Sequence, residues 1–258
     1  MNNRNALFLY LLLLCHSAIA QNTIHAFFAT NPYQEEAIFR GCQTDRARTI
    51  FFLRSMLTSV GENEVPQRLR VYDLTYDPAC IPEEIASADV DSTDAVIFIH
   101  SGHGVMNPDQ APWPFLYYCR QSEAIPDAYN ECGLTVETIR RAVRGHDPRM
   151  SLIVLNACNH DPRMNVEDPV SQPQFSLQEA EQDNVGFDAI SLFTRYKGHM
   201  VIASASPGQK SYTGDQYGSP CLRELWGRLA DNFYRNRCST WSDLLRPWAT
   251  RIAHTASK

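Results

Sequence analysis

Two short motifs contain the residue types needed for nucleophilic catalysis by a thiol. Ser101-Gly102-His103-Gly104 offers an imidazole between two glycines, and Asn156-Ala157-Cys158-Asn159-His160 offers a cysteine 55 residues further on. A thiol with a pKa of about 8.5 is only slightly ionised at neutral pH. A neighbouring imidazole raises the reactive fraction and can later protonate the leaving amine. The pair therefore predicts Cys158 as nucleophile and His103 as general base and acid. Glycine on each side of His103 lets a substrate backbone approach closely, and the Gly104 and Cys158 N–H groups can serve as oxyanion donors, each worth about 3–4 kcal/mol in comparable sites. Taken singly, each motif has a bland explanation: a cysteine after an apolar strand is most often an inert core thiol, and Ser-Gly-His-Gly is most often a turn. Their joint occurrence is what points to chemistry.

Each motif closes a run of four apolar residues, Val96-Ile97-Phe98-Ile99 and Leu152-Ile153-Val154-Leu155. Such runs have the composition of buried central strands, and in an open parallel sheet the sites assemble beyond the carboxyl ends of the strands. Residues 95–100 and 151–155 are expected to be those strands. Further strands are expected at 23–30, 69–74 and 199–204. Apolar residues at Ile50, Leu53, Leu57 and Val60 predict a helix over 42–60, and Leu222, Leu225, Trp226, Leu229 and Phe233 another over 221–234. Shorter helices are expected at 82–88 and 135–143, with a last one from Trp241. Residues 107–114 and 159–184 carry prolines and polar groups with little periodicity and are expected to be exposed loops. Strands alternating with helices predict an α/β fold with a mainly parallel sheet. No internal repeat or composition break marks a second domain.

The N-terminus has the form of a secretory signal: Arg4, an apolar stretch over 6–14, then Ala18-Ile19-Ala20. The apolar stretch is shorter than the roughly 20 residues a bilayer span needs. The reading is a signal peptide over 1–20 and one domain over 21–258, with no membrane association after cleavage before Gln21. The destination is secreted or periplasmic. Without Arg4 the mature chain has 22 basic and 29 acidic side chains, a net charge of −7. An acidic chain lacking a basic stripe argues against a nucleic-acid partner. Seven cysteines remain after Cys15 leaves, so at least one thiol lies outside intramolecular pairs. If Cys158 is that thiol, three disulfides are possible in an oxidising compartment, with Cys119–Cys132 and Cys221–Cys238 the sequence-local guesses.

An apolar strand ending in His-Gly, then another ending in Ala-Cys, resembles the caspase-type cysteine peptidases, and metacaspases and their bacterial relatives most closely. The similarity runs from Ile24 to about Leu245. Gly41-Cys42-Gln43-Thr44-Asp45 and Ser204-Ala205-Ser206 with Gln209 also take part in it. The resemblance implies a caspase-like three-layer α/β/α sandwich and hydrolysis of peptide or protein substrates, without a redox cofactor or catalytic metal. It implies that Asp45, Ser101 and Asn156 line the pocket for the side chain preceding the scissile bond. Metacaspases have Asp at the last of these positions, so Asn156 removes one of two charges. A preference for Arg or Lys should be weakened but kept, and no basic residues stand at the matching positions to favour Asp.

Several departures bear on the implied activity. Family members usually follow the cysteine with His-Ser-Gly, where this chain has Asn159-His160-Asp161. The resemblance raises calcium activation, for which Asp161, Glu167 and Asp168 are neighbours, though their spacing matches no calcium loop. It also marks 159–184 as the region where such enzymes are cut, with Arg149 and Arg163 as candidate self-cleavage points. Cys42 has two readings: in the family its counterpart is a free thiol beside the pocket, and in an exported protein it can instead be paired. Two alternatives stand beside an active peptidase: a catalytically silent caspase-like domain that binds, and an unrelated α/β protein in which both motifs are turns.

Overall fold

The computed structural model describes residues 23–32, 34–58, 68–106, 112–118, 132–161, 174–178, 191–194, 196–214, 217–235, 240–246 and 248. Three strands form its centre, and every residue in them is buried: β1 (Thr23–Ala29), β3 (Ala95–Ser101) and β7 (Met150–Asn156). A strand that is apolar on both faces requires a covering layer on each side, as in a parallel sheet flanked by helices. With β2 (Arg68–Asp73), β8 (Gln174–Gln178) and β9 (Gly198–Ala203) these strands make one sheet in the order β2-β1-β3-β7-β9-β8. Five strands are parallel, and β8 lies antiparallel to β9 at the edge.

Alternation along the strands sorts their side chains into two cores. Ile97, Ile99, Leu152 and Val154 pack against Phe52, Leu53 and Met56 of α1 (Glu36–Thr58). The same core takes Leu222, Leu225, Trp226 and Leu229 of the helix Pro220–Arg235 and Trp241, Leu244 and Leu245 of a last helix, 241–246. Val96, Phe98, Ile153 and Leu155 face the other layer, built from α2 (Ile81–Ala86) and α3 (Val136–Arg144). In chain order, α4 (Ser191–Thr194) precedes β9, and the two C-terminal helices are α5 and α6. Thr135 caps α3, its hydroxyl accepting the Thr138 N–H at 3.1 Å. Three layers, helix on sheet on helix, agree with the fold class expected.

Other expectations need correction. The 159–184 region is not loop throughout, because β8 lies inside it. Its sequence alternates Gln174, Ser176 and Gln178 with Phe175 and Leu177, as an edge strand does, but five residues among prolines give a weak signal. Helix α1 starts at Glu36, six residues before the expected start. A second sheet was not anticipated: β4 (Gly104–Met106), β5 (Pro114–Tyr117) and β6 (Gly133–Leu134) pair antiparallel just beyond β3.

The cysteine expectations also change. Cys42, Cys80, Cys158 and Cys221 are free thiols, which leaves too few cysteines for three disulfides. Cys221 is among the free thiols, so it is not paired with Cys238; α5 carries the chain about 21 Å from Cys221 to Arg235 at 1.5 Å per residue. Cys132 is disulfide-bonded to a partner outside the described residues, and Cys119 and Cys238 lie outside them as well. Arg149 is no self-cleavage point in the folded chain. Its guanidinium is committed to the carbonyls of Thr93, Tyr196 and Phe193, at 3.1 and 2.8 Å for the first two. Arg163, Glu167 and Asp168 fall outside the described residues.

Candidate active site

The register of the central strands brings the two motifs together. Ser101 and Asn156 are paired neighbours at the ends of β3 and β7, so His103 and Cys158 each stand two residues beyond a shared rung. The Gly102 N–H donates to the Asn156 carbonyl at 3.0 Å, and the Met106 N–H donates to the His160 carbonyl at 3.0 Å. Between these ties a side chain at Gly104 would lie 2.7 Å from both the Ala157 Cβ and the Cys158 carbonyl. Glycine is thus required for the two loops to touch. Gly102 adopts φ 154°, a conformation open to glycine and strained for other residues.

The direction of the Gly104 N–H follows from the same ladder. The Tyr117 N–H donates to the His103 carbonyl, so the next antiparallel pair, Gly104 with Leu116, is non-hydrogen-bonded and the Gly104 N–H is directed away from β5. Met106, two residues on, directs its N–H to the same side and reaches His160. The Gly104 N–H therefore faces the segment that carries Cys158.

His103 is held at both ends. Its ring Nε2 lies 2.8 Å from the Glu35 carboxylate, with the imidazole about one-third exposed at 34%. Its carbonyl accepts the Tyr117 N–H at 3.1 Å and the His100 Nε2–H at 3.0 Å. His100 is fully buried, and its Nδ1 accepts the Tyr118 hydroxyl at 2.9 Å. Burial pushes the His100 pKa down to about 4, so this ring stays neutral, and burial pushes the Tyr118 phenol up, so it remains a donor.

The Cys158 thiol is half-buried and turns to the segment after β9. The Ser211 N–H donates to the sulfur at 3.3 Å, and the thiol points to the Ser211 carbonyl at 3.6 Å. Among the described residues its hydrogen bonds go to Ser211 and none go to His103. Burial raises the thiol pKa, opposed by the Ser211 backbone bond and the Lys210 charge. Segment 204–211 is laced to the cysteine loop: the Ala157 N–H donates to Ser204 Oγ at 3.2 Å, the Asn159 N–H to the Gln209 carbonyl at 2.8 Å, and Ser204 Oγ to Ser211 Oγ at 2.6 Å. Asn159, one of the departures from the family pattern, is buried with its amide on the Pro112 carbonyl at 2.9 Å, a structural role.

Asp45, Ser101 and Asn156 form one buried network beside these loops. Asp45 Oδ1 accepts the Ser219 N–H at 2.7 Å, and Oδ2 accepts the Ser101 hydroxyl at 2.9 Å and the Asn156 amide at 3.3 Å. The Ser211 hydroxyl donates to the Asn156 side-chain amide oxygen Oδ1 at 3.0 Å, which links this network to the sulfur's neighbour. Burial lifts the Asp45 pKa to about 6, against the pull of the Ser219 and Ser101 bonds and the Arg48 charge. Cys42 lies alongside, accepting from the Gln34 amide at 3.3 Å, its pKa pushed up to about 11 by burial.

Sequence reasoning missed Glu35, Ser211 and Ser219. Ser211 follows Gln209 closely enough to be found by extending that segment. Glu35 gave no signal, since Glu35-Glu36 reads as the solvated start of a helix. Among the described residues no group of three or more His, Cys, Asp or Glu could hold a metal ion, and no helix is long and apolar enough to cross a membrane.

A family model for the caspase domain matches residues 39–256. No curated protein matches the chain. The family model takes in α1 from Phe39 onward, both motif strands and the segment after β9, and on that extent the chain belongs to the caspase-domain family of cysteine peptidases.

Proposed function

We propose that this protein is an exported cysteine endopeptidase in which Cys158 and His103 hydrolyse peptide bonds, with a preference for Arg or Lys before the scissile bond. The observation that carries the reading is the Ser101–Asn156 rung, from which both loops emerge in contact within a caspase domain. Glu35 accepts from Nε2, so Nε2 carries the proton of the neutral ring and Nδ1 is the basic nitrogen. Nδ1 takes the thiol proton as the sulfur attacks the substrate carbonyl, and the Gly104 and Cys158 N–H groups receive the oxyanion. The C–N bond breaks, the amine leaves with the proton from Nδ1, and a thioester remains on Cys158. Water, deprotonated by the same nitrogen, then releases the acid and restores the thiol.

Substrate entry must displace the thiol from Ser211, because a bond to that carbonyl favours the neutral form. The buried Asp45 carboxylate, hydrogen-bonded by the Ser101 hydroxyl, the Asn156 amide and the Ser219 N–H, supports the basic preference: a guanidinium or ammonium of the substrate would add to the Arg48 charge in compensating its desolvation. Profiling a peptide library with and without calcium tests the reading. Cleavage after Arg or Lys that vanishes in Cys158→Ala is expected, and cleavage that persists in that variant rejects it. Export predicts a mature protein starting at Gln21, read by terminal sequencing of the processed chain, and an intact Met1 end on that chain would reject it.

A second reading, a silent binding domain, is favoured by the thiol's bonds to Ser211. A folded protein that cleaves no library peptide and takes up no cysteine-directed peptide probe would select it.

A further inference from the structure

The Cys158–His103 pair names no group for the outer edge of the imidazole, yet the Glu35 carboxylate meets it at 2.8 Å. Glu35 stands immediately before α1, and its carbonyl accepts the Phe39 N–H at 2.9 Å. The helix therefore fixes the backbone from which the carboxylate projects. The adjacent Glu36 is engaged along the helix with Arg40 at 3.2 Å. The backbone of His103 is already fixed by His100 and Tyr117 through its carbonyl, so rotation and tautomer of the ring are the freedoms that remain.

We propose that Glu35 is the positioning residue of His103, holding the ring as the Nε2–H tautomer so that Nδ1 is the nitrogen presented to the thiol. This rests on the peptidase reading above. An ion pair this exposed adds little to stability, because water screens it and two side chains lose freedom. Its value lies in catalysis. A carboxylate accepts and cannot donate, so it excludes the tautomer that would protonate the catalytic nitrogen, and it stabilises the imidazolium formed when the thiol gives up its proton. His100 cannot substitute for it, since it reaches the His103 backbone carbonyl and not the ring, and the Tyr118 hydroxyl reaches only His100.

The test compares wild type, Glu35→Ala and Glu35→Gln with an arginyl peptide substrate and with nitrogen NMR of labelled histidine. Glu35→Ala should lower kcat about 10–100-fold with KM within about twofold, less than loss of a buried triad carboxylate because this one is half-exposed. Glu35→Gln keeps an oxygen acceptor and should recover most of that loss. The His103 signals should report one tautomer in wild type and a mixture in Glu35→Ala, at an unchanged melting temperature. Unchanged kcat and an unchanged spectrum in Glu35→Ala, beside an active wild type that needs Cys158, overturn the role of Glu35 alone. A folded wild type that hydrolyses nothing and takes up no peptide probe overturns the peptidase reading and this role with it.

Discussion

Asp45 keeps a buried carboxylate among neutral donors, and its chemistry sets a pH dependence that belongs to a single residue. Its pKa is raised to about 6, so it is charged above that pH and neutral below it, and in the proposed pocket its attraction for a basic substrate side chain would be lost as pH falls. The ratio of kcat/KM for an arginyl peptide to that for a neutral analogue should fall as pH drops through about 6. Asp45→Asn should lower the arginyl value about 10–100-fold, the worth of one charged hydrogen bond, and flatten that limb. A ratio that stays level across this range would remove Asp45 from substrate recognition. The residues legible in the sequence were those with a motif around them. His103, Cys158 and Asp45 stand in recognisable strings, whereas Glu35 and Ser219 act through distant contacts, 68 and 174 residues away in the chain, that no local spacing records.

At the scale of elements, the contact between loops is the part most open to test. In Gly104→Ala the new methyl group meets the Ala157 Cβ and the Cys158 carbonyl, so the loops must separate and the Gly104 N–H must shift from the position proposed for the oxyanion. Cleavage should fall at least about 100-fold, while circular dichroism keeps its helix and strand signal, in line with loss of an oxyanion donor. Near-normal turnover in this variant would show that the approach of the loops is not needed. Thr135→Ala offers a contrast away from the site: loss of the α3 cap should cost about 1 kcal/mol in denaturant unfolding and leave KM unchanged. Strands buried on both faces were readable because VIFI and LIVL admit no other economical placement. The small β4-β5-β6 sheet was not, since strands of two to four residues lie below what periodicity can register.

Across the whole molecule, the sheet divides the cysteines by accessibility. Cys42 and Cys221 lie in the core with thiols pushed up by burial, whereas Cys80 and Cys158 are partly exposed. A maleimide should modify Cys80 and Cys158 in the native protein and reach Cys42 and Cys221 only after denaturation, without reductant. Peptide mapping that still finds Cys42 or Cys221 blocked in denaturant would indicate a disulfide and a different core. The three-layer fold could be anticipated from alternating strand and helix patterns, because hydrophobic burial is a local property of sequence. Disulfide pairing could not, because it depends on where helices carry their ends. Cys221, a sequence-local candidate for pairing, is a free thiol buried on α5.

The pairing of sulfur and imidazole is tested most directly by the second-order rate at which an arginyl acyloxymethylketone labels Cys158. At neutral pH, His103→Ala should label at least about 100-fold more slowly than wild type, with both proteins folded to the same melting temperature. Equal rates in the two proteins would contradict a role for His103 in activating the thiol.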